Sequence, residues 1–285
     1  MVEDKQKTLV LIDGHALVHR AYHALPPLNT PKGELVNAVY GFTSILLKVL
    51  RELNPDYIVA TFDLPKPTFR HQEFEGYKAQ RVKAPDELYA QIARVKDVLR
   101  AFNIPFFEKE GYEADDIIGT IARQMEAKKD IRTIIATGDL DTLQLVDENT
   151  SIYTLKKGVK DTVIYDEKAV IERYGLAPDQ MVDFKGLKGD PSDNIPGIPG
   201  IGEKTAINLL KQFGSLEKLY EELESGSAEI KSKKLREKLL TNKEQAFFSK
   251  YLALIKTDVP LDFNLKDAQA RDYDKQKVVD LFKDL

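Results

Sequence analysis

Residues 8–13, Thr8-Leu-Val-Leu-Ile-Asp13, form a short apolar run that ends in an acid. Two later stretches repeat the arrangement: Tyr57-Ile-Val-Ala-Thr-Phe-Asp63, and Arg132-Thr-Ile-Ile-Ala-Thr-Gly-Asp139, which Asp141 follows closely. Runs this short, rich in Val, Ile and Thr and not alternating with polar residues, predict strands of a mostly parallel sheet covered by helices on both faces. Ligands of such sheets bind outside the carboxyl ends of the strands, where these acids fall. Each Asp also suits a plainer role, capping the helix after its strand. Several carboxylates at one sheet edge repel one another and resist ionisation, so a cation is expected among them, and hard ions such as Mg²⁺ prefer oxygen ligands.

Two further clusters extend the set. Gly111-Tyr-Glu-Ala-Asp-Asp-Ile-Ile-Gly-Thr-Ile-Ala122 reads as a helix start, with Glu113, Asp115 and Asp116 in the first turn and expected to project together. Gly186-Leu-Lys-Gly-Asp-Pro-Ser-Asp-Asn194 places Asp190 and Asp193 in a loop where turn-forming Asp is also ordinary. The candidate ligands are therefore nine: Asp13, Asp63, Glu113, Asp115, Asp116, Asp139, Asp141, Asp190 and Asp193. That exceeds the need of one ion, and two ions about 4 Å apart are the apparatus of phosphodiester cleavage.

Asn194-Ile-Pro-Gly-Ile-Pro-Gly-Ile-Gly-Glu-Lys-Thr-Ala206 lies between an apolar segment, Met181 to Leu187, and a helical pattern at Ile207, Leu209, Leu210 and Phe213. Glycines 197, 200 and 202 permit a tight hairpin with free amides beside a helix start, which makes an anion site. The element looks like a helix-hairpin-helix, which grips a nucleic-acid backbone without reading bases, with Lys204 adding a charge. A second basic region, Lys66 to Lys83, carries Lys66, Arg70, Lys78, Arg81 and Lys83 interleaved with Phe69, Phe74 and Tyr77. Such a mixture suits a single strand with stacked bases, or a solvated segment with its aromatics in the core. Lys231 to Lys238 could track duplex phosphate or be a charged helix face.

The segments LIDGHALVHRAYHALPPL, TFDLPKPTFRHQEFEGYKAQR, GYEADDIIGTIA, ATGDLDTLQLV and GLKGDPSDNIPGIPGIGEKTA resemble, in order and at comparable spacing, the 5′-nuclease domain of bacterial DNA polymerase I, within the flap-endonuclease superfamily. The resemblance spans nearly the whole chain, and all nine acids fall on the family's acidic positions. It implies a nuclease that removes 5′ flaps and downstream RNA or DNA strands, acting on flaps, nicks or RNA primers. It also implies two Mg²⁺ ions, replaceable by Mn²⁺, and a K⁺ at hairpin carbonyls from Gly197 to Gly202. Matched to the family, Arg70 and Lys78 are expected at the scissile phosphate, Arg81 on the DNA, and Tyr22 as a surface on which the terminal base stacks. In the polymerase the chain would run on, whereas this one stops at Leu285, as an excised domain or a stand-alone relative.

Composition is compatible with this. The chain has 285 residues, 42% hydrophobic and 31% charged, enough for two domains, expected at 1–178 (α/β) and 179–285 (helical, with the hairpin). With no cysteine, there are no disulfides and no thiolate ligands or nucleophile. The N-terminal apolar run is too short for a signal peptide and nothing approaches a membrane span, so a cytoplasmic monomer is expected. A net charge of −4 argues only weakly against DNA if metals neutralise part of the acid. His15, His19 and His23 share a helical face, as zinc-binding histidines do, but no His-Glu-x-x-His pattern accompanies them. Two other readings are a non-catalytic helix-hairpin-helix module, which would not need Asp13 and Asp63, and a haloacid-dehalogenase-like phosphatase. The latter is suggested by Asp139-Leu-Asp141 but wants Thr or Val at Leu143 and its motif on the first strand.

Overall fold

The computed structural model describes residues 6–157 and 161–284; the first five residues and Leu285 lie outside it. The first half runs β1 (Lys7–Asp13), α1 (Gly14–Ala24), α2 (Asn37–Leu53), β2 (Tyr57–Thr61), α3 (Phe69–Glu73), α4 (Asp86–Ala101), β3 (Phe106–Phe107), α5 (Ala114–Glu126) and β4 (Ile131–Thr137). A short helical turn (Leu140–Leu145), β5 (Thr150–Lys157), β6 (Asp161–Tyr165) and α6 (Glu167–Tyr174) complete it. The described elements beyond are helical: α7 (Gln180–Lys188), α8 (Glu203–Phe213), α9 (Leu216–Ser225), α10 (Lys233–Thr241), α11 (Lys243–Ala253), a turn at Leu265–Ala268 and α12 (Lys275–Asp284). None of these helices is long and apolar enough to cross a membrane.

The strands form one six-stranded sheet in the order β3-β2-β1-β4-β5-β6, parallel except for the antiparallel edge strand β6. Successive side chains of a strand point to opposite faces. Leu9 and Leu11 accordingly enter a core built with α5 and the helical half, while Val10 and Ile12 enter a second core with α1, α2 and α4. Burial on both faces is why the strands read as unbroken apolar runs. The first core continues without a break from Leu9 to Tyr220, so the two halves share it. The end of the chain returns to the α/β half: Gln269 bridges to Tyr57, and Val278 of α12 joins the second core.

Register aligns the acids. Asp13 pairs with Thr61 and Ile12 with Ala136, so Asp63 and Asp139 each lie two residues beyond a strand end that flanks Asp13. Chain order reverses between β1 and β4, and at such a switch point the helices diverge and open a crevice. Gly14 keeps the crevice tight, since a Cβ there would sit 2.4 Å from the Phe62 ring.

Candidate active site

Asp13 is 2% exposed. Its carboxylate accepts hydrogen bonds from Ala16 N (3.0 Å), which caps α1, and from Thr137 Oγ1 (2.6 Å). Capping is therefore real, but it does not compensate the charge: burial, with Asp63 and Asp139 adding repulsion, pushes Asp13 up to about 7. Thr137 Oγ1 accepts from Asp139 N, and Asp139 in turn accepts from Asp141 N, each at 2.9 Å. Asp63 accepts from Ala114 N (2.6 Å), tying the end of β2 to the start of α5.

The first turn of α5 sends Glu113 and Asp115 into the crevice and holds Asp116 behind it. Asp115 enters the crevice, where no hydrogen-bond donor among the described residues meets its carboxylate. Burial, then the charges of Asp13, Asp139, Asp63 and Asp141, hold it well above the usual carboxylate range. Asp116 faces the other way and is fully buried. Its oxygens accept from both terminal nitrogens of Arg70 (2.8 Å each), from Glu113 N (3.0 Å) and from Lys256 N (2.8 Å). A carboxylate filled by four donors is a structural anchor, which puts Asp116 behind the open ligands, where an outer-shell acid would stand.

Arg70, expected at the scissile phosphate, is drawn into the same anchor. It is 3% exposed, and its Nε and Nη2 also donate to the carbonyls of Leu252 and Leu254 at the end of α11 (2.9 and 2.7 Å). This guanidinium locks α3, α5 and α11 together, and Nη1, which keeps its second N–H, lies 3.5 Å from Glu113 Oε2. The interleaved aromatics are also internal. Tyr77 is buried, Phe74 packs edge-on against Phe248 (centroids 5.7 Å), and Phe69 lies beneath Arg70 and against Tyr251, so base stacking does not explain them.

Lys78 and Arg81 do face the crevice. Lys78 Nζ is 2.8 Å from Glu113 and 3.8 Å from Asp193, and the Arg81 guanidinium is paired with Asp193. Tyr77 Oη lies 3.1 Å from both carboxylates. Burial disfavours the Lys78 ammonium, but Glu113 and Asp193 outweigh it and hold its pKa above the ordinary value. An adjoining cleft of about 720 Å³ continues from Asp63 and Glu113 past Lys66, Lys83 and Lys96.

At the other end Asp141 is pushed up to about 6 by burial, partly relieved by Lys185. Lys185 Nζ touches Asp141 and lies 2.6 Å from Asp190. Asp190 also accepts from Ser192 N and Oγ (2.9 and 2.6 Å), and these contacts overcome burial to bring it down to about 2. Asp190 is thus a paired turn former, not an open ligand.

Tyr22 does not line the crevice; it is half-buried against the second core, its ring edge-on to His23. His15 and His19 line it instead, with ring centroids 4.7 Å apart. Burial, then the neighbouring His15 and His23, pushes His19 down to about 4, leaving it neutral at ordinary pH. Their i, i+4 spacing is the sequence signal for a histidine face on the crevice.

The five carboxylates lining the crevice offer oxygen donors, and among the described residues no hydrogen-bond donor meets Asp115, which fits a hard divalent cation. No group of three or more His, Asp or Glu side chains among the described residues is already gathered tightly enough to hold one. Lys78, Arg81 and Lys185 take up carboxylates instead.

The hairpin between α7 and α8 has Gly197 and Gly200 at φ +58° and +74°, a region only glycine occupies without strain. A Cβ on Gly197 would fall 2.1 Å from Gly189 N. Gly197 N donates to Ser249 Oγ (3.0 Å), whereas Gly200 and Gly202 are exposed and donate to no acceptor among the described residues. Lys204 is exposed in the first turn of α8, and Lys238 of α10 stands over Gly200.

Comparison with known proteins identifies two matching family descriptions: a 5′-3′ exonuclease N-terminal resolvase-like domain over residues 8–175, and a 5′-3′ exonuclease C-terminal SAM fold over residues 176–276. The chain is 46% identical over 281 residues to DNA polymerase I of Bacillus subtilis, and 47% over 280 residues to that of Bacillus caldotenax. It is covered to 99% and 98% by these alignments but spans only 31% of each relative's length. Among solved structures, the 5′-exonuclease of bacteriophage T5 with bound zinc matches with a TM-score of 0.69 at 21% identity, over 98% of both chains. A T5 flap endonuclease variant in complex with DNA and metal ions matches with a TM-score of 0.72 at 19% identity, over 97% of this chain and 98% of that one. At these identities the structural likeness speaks for the fold.

Proposed function

Because the chain belongs to the 5′-3′ exonuclease family, we propose that it hydrolyses phosphodiester bonds in DNA bearing a 5′ flap, a nick or an RNA primer, using two Mg²⁺ ions that Mn²⁺ can replace. The observation that carries the reading is Asp115, a carboxylate in the crevice that meets no hydrogen-bond donor among the described residues and whose pKa four neighbouring acids raise further. Such acids are relieved either by taking up protons or, while ionised, by a concentrated positive charge. Asp13, Asp63, Glu113, Asp115, Asp139, Asp141 and Asp193 would hold the ions. When bound, such ions acidify water and neutralise charge on phosphate oxygens. Incubating a double-flap duplex with and without Mg²⁺ and mapping the cuts tests this; an intact substrate in Mg²⁺ would favour a non-catalytic binding module. The bacterial polymerases that the chain matches are about three times as long, and a joined polymerase region in the whole protein is part of the proposal, as is a monomeric state.

Lys78 and Arg81 replace Arg70 as the cations that meet the scissile phosphate. They sit on Glu113 and Asp193 and would move to the phosphate once divalent ions take those carboxylates. Lys78→Ala and Arg81→Ala should each slow single-turnover cleavage by about 100-fold at saturating protein, the scale of losing one transition-state contact. Rates fully restored by excess protein would reduce both to simple affinity contacts.

The hairpin, with Gly197, Gly200, Gly202 and Lys204, would grip duplex phosphate, and K⁺ is proposed at its carbonyls. Of these, Gly197 O already accepts from Gln245 and Ile198 O from Ile201 N. In Gly200→Val the side chain is forced into left-handed backbone, costing about 1–2 kcal/mol locally, and Lys204→Ala deletes a cation. The double variant should bind duplex-bearing flaps more weakly in Ca²⁺, with a salt slope reduced by about one unit. Its affinity for free single strand should hold; unchanged duplex affinity and slope would remove the hairpin from the interface.

A further inference from the structure

Lys185 has no task in the reaction just described, yet its position is specific. It lies in the last turn of α7, its side chain 13% exposed, and its ammonium sits between Asp141, which follows β4, and Asp190, which follows α7. The two carboxylates come from different halves of the chain. Asp190 is otherwise satisfied by Ser192, whereas Asp141 belongs to the acidic cluster and lies 2 residues from Asp139. The cluster therefore has two unlike ends. Asp115 meets no donor among the described residues, while Asp141 already has a cation in contact.

We propose that Lys185 is an internal counter-cation that neutralises Asp141 and Asp190 when no divalent ion is present and competes with an incoming ion for Asp141. The inference rests on the metal-binding reading above. Two cations drawn to one carboxylate repel each other, and burial weakens the screening between them. The Asp141 end should consequently load more weakly than the Asp115 end. Lys185 also holds α7, and the hairpin that follows it, against the end of β4 while the ion is absent. It is a positioning residue, since it acts through Asp141 and not on the substrate.

A purely structural ion pair makes the opposite forecast, which separates the two. In calorimetric titration of the DNA-free full chain with Mn²⁺, Lys185→Met should tighten the weaker binding step by about tenfold, and Lys185→Arg should leave it as in wild type. Lys185→Met should also lower the thermal midpoint in EDTA and gain more than wild type when Mn²⁺ is added. Unchanged or weaker Mn²⁺ binding by Lys185→Met would overturn the proposal. If that variant does not fold in EDTA, Lys185→Met with Asp190→Asn removes the stranded carboxylate, and it should bind Mn²⁺ more tightly than Asp190→Asn alone; equal affinity overturns the proposal. Absence of Mn²⁺ uptake by the wild type would defeat the metal reading itself, whereas uptake that Lys185 does not influence defeats only this inference.

Discussion

Asp13→Asn is expected to lower cleavage at least about 100-fold while making the metal-free protein more stable at neutral pH. The first effect follows from removing a charged ligand without changing its size. The second follows from the sign of the pKa shift. Asp13 stands at about 7 in the folded chain against 3.8 in its absence, so the folded state binds this proton more tightly. Its contribution is fully favourable below about pH 4 and is lost as pH rises towards 7, at on the order of 1 kcal/mol per unit. In EDTA the difference in thermal midpoint between variant and wild type should grow from pH 5 to pH 7.5, in the variant's favour. Adding Mg²⁺ should reverse the order. A variant that cuts at the wild-type rate, or that is the less stable protein in EDTA at pH 7.5, would remove Asp13 from the metal-binding set.

Arg70→Met is expected to destabilise the fold by about 3–5 kcal/mol, the scale of leaving one partner of a buried ion pair alone. Asp116 would remain fully buried, with two backbone amides but no countercharge, and the carbonyls of Leu252 and Leu254 would lose their donors. Since Asp116 also accepts from Glu113 N, the start of α5 should loosen and carry Asp115 with it. Pairing Arg70→Met with Asp116→Leu should recover part of the loss, because neither charge is then stranded. Denaturant unfolding of the single and double variants measures this directly. Wild-type stability together with a slowed chemical step in Arg70→Met would return Arg70 to the phosphate.

The sheet, its acidic carboxyl edge and the hairpin are legible in the sequence, because each is set by local rules. Runs buried on both faces announce β1, β2 and β4, strand ends place Asp13, Asp63 and Asp139, and left-handed glycines mark Gly197 and Gly200. The sequence could not rank the acids or the cations. Asp115 and Asp116 are adjacent in the chain, yet one meets four other carboxylates and the other meets Arg70. Arg70 and Lys78 share one basic stretch, but α11 folds over the first and leaves the second facing the crevice. Nothing near Lys185 announces Asp141, 44 residues earlier in the chain. Whether a charge is exposed, neutralised or left unpaired depends on which distant segments pack around it. Desolvation and Coulomb energies arise only at that level, so tertiary structure alone decided which of these residues are free to act.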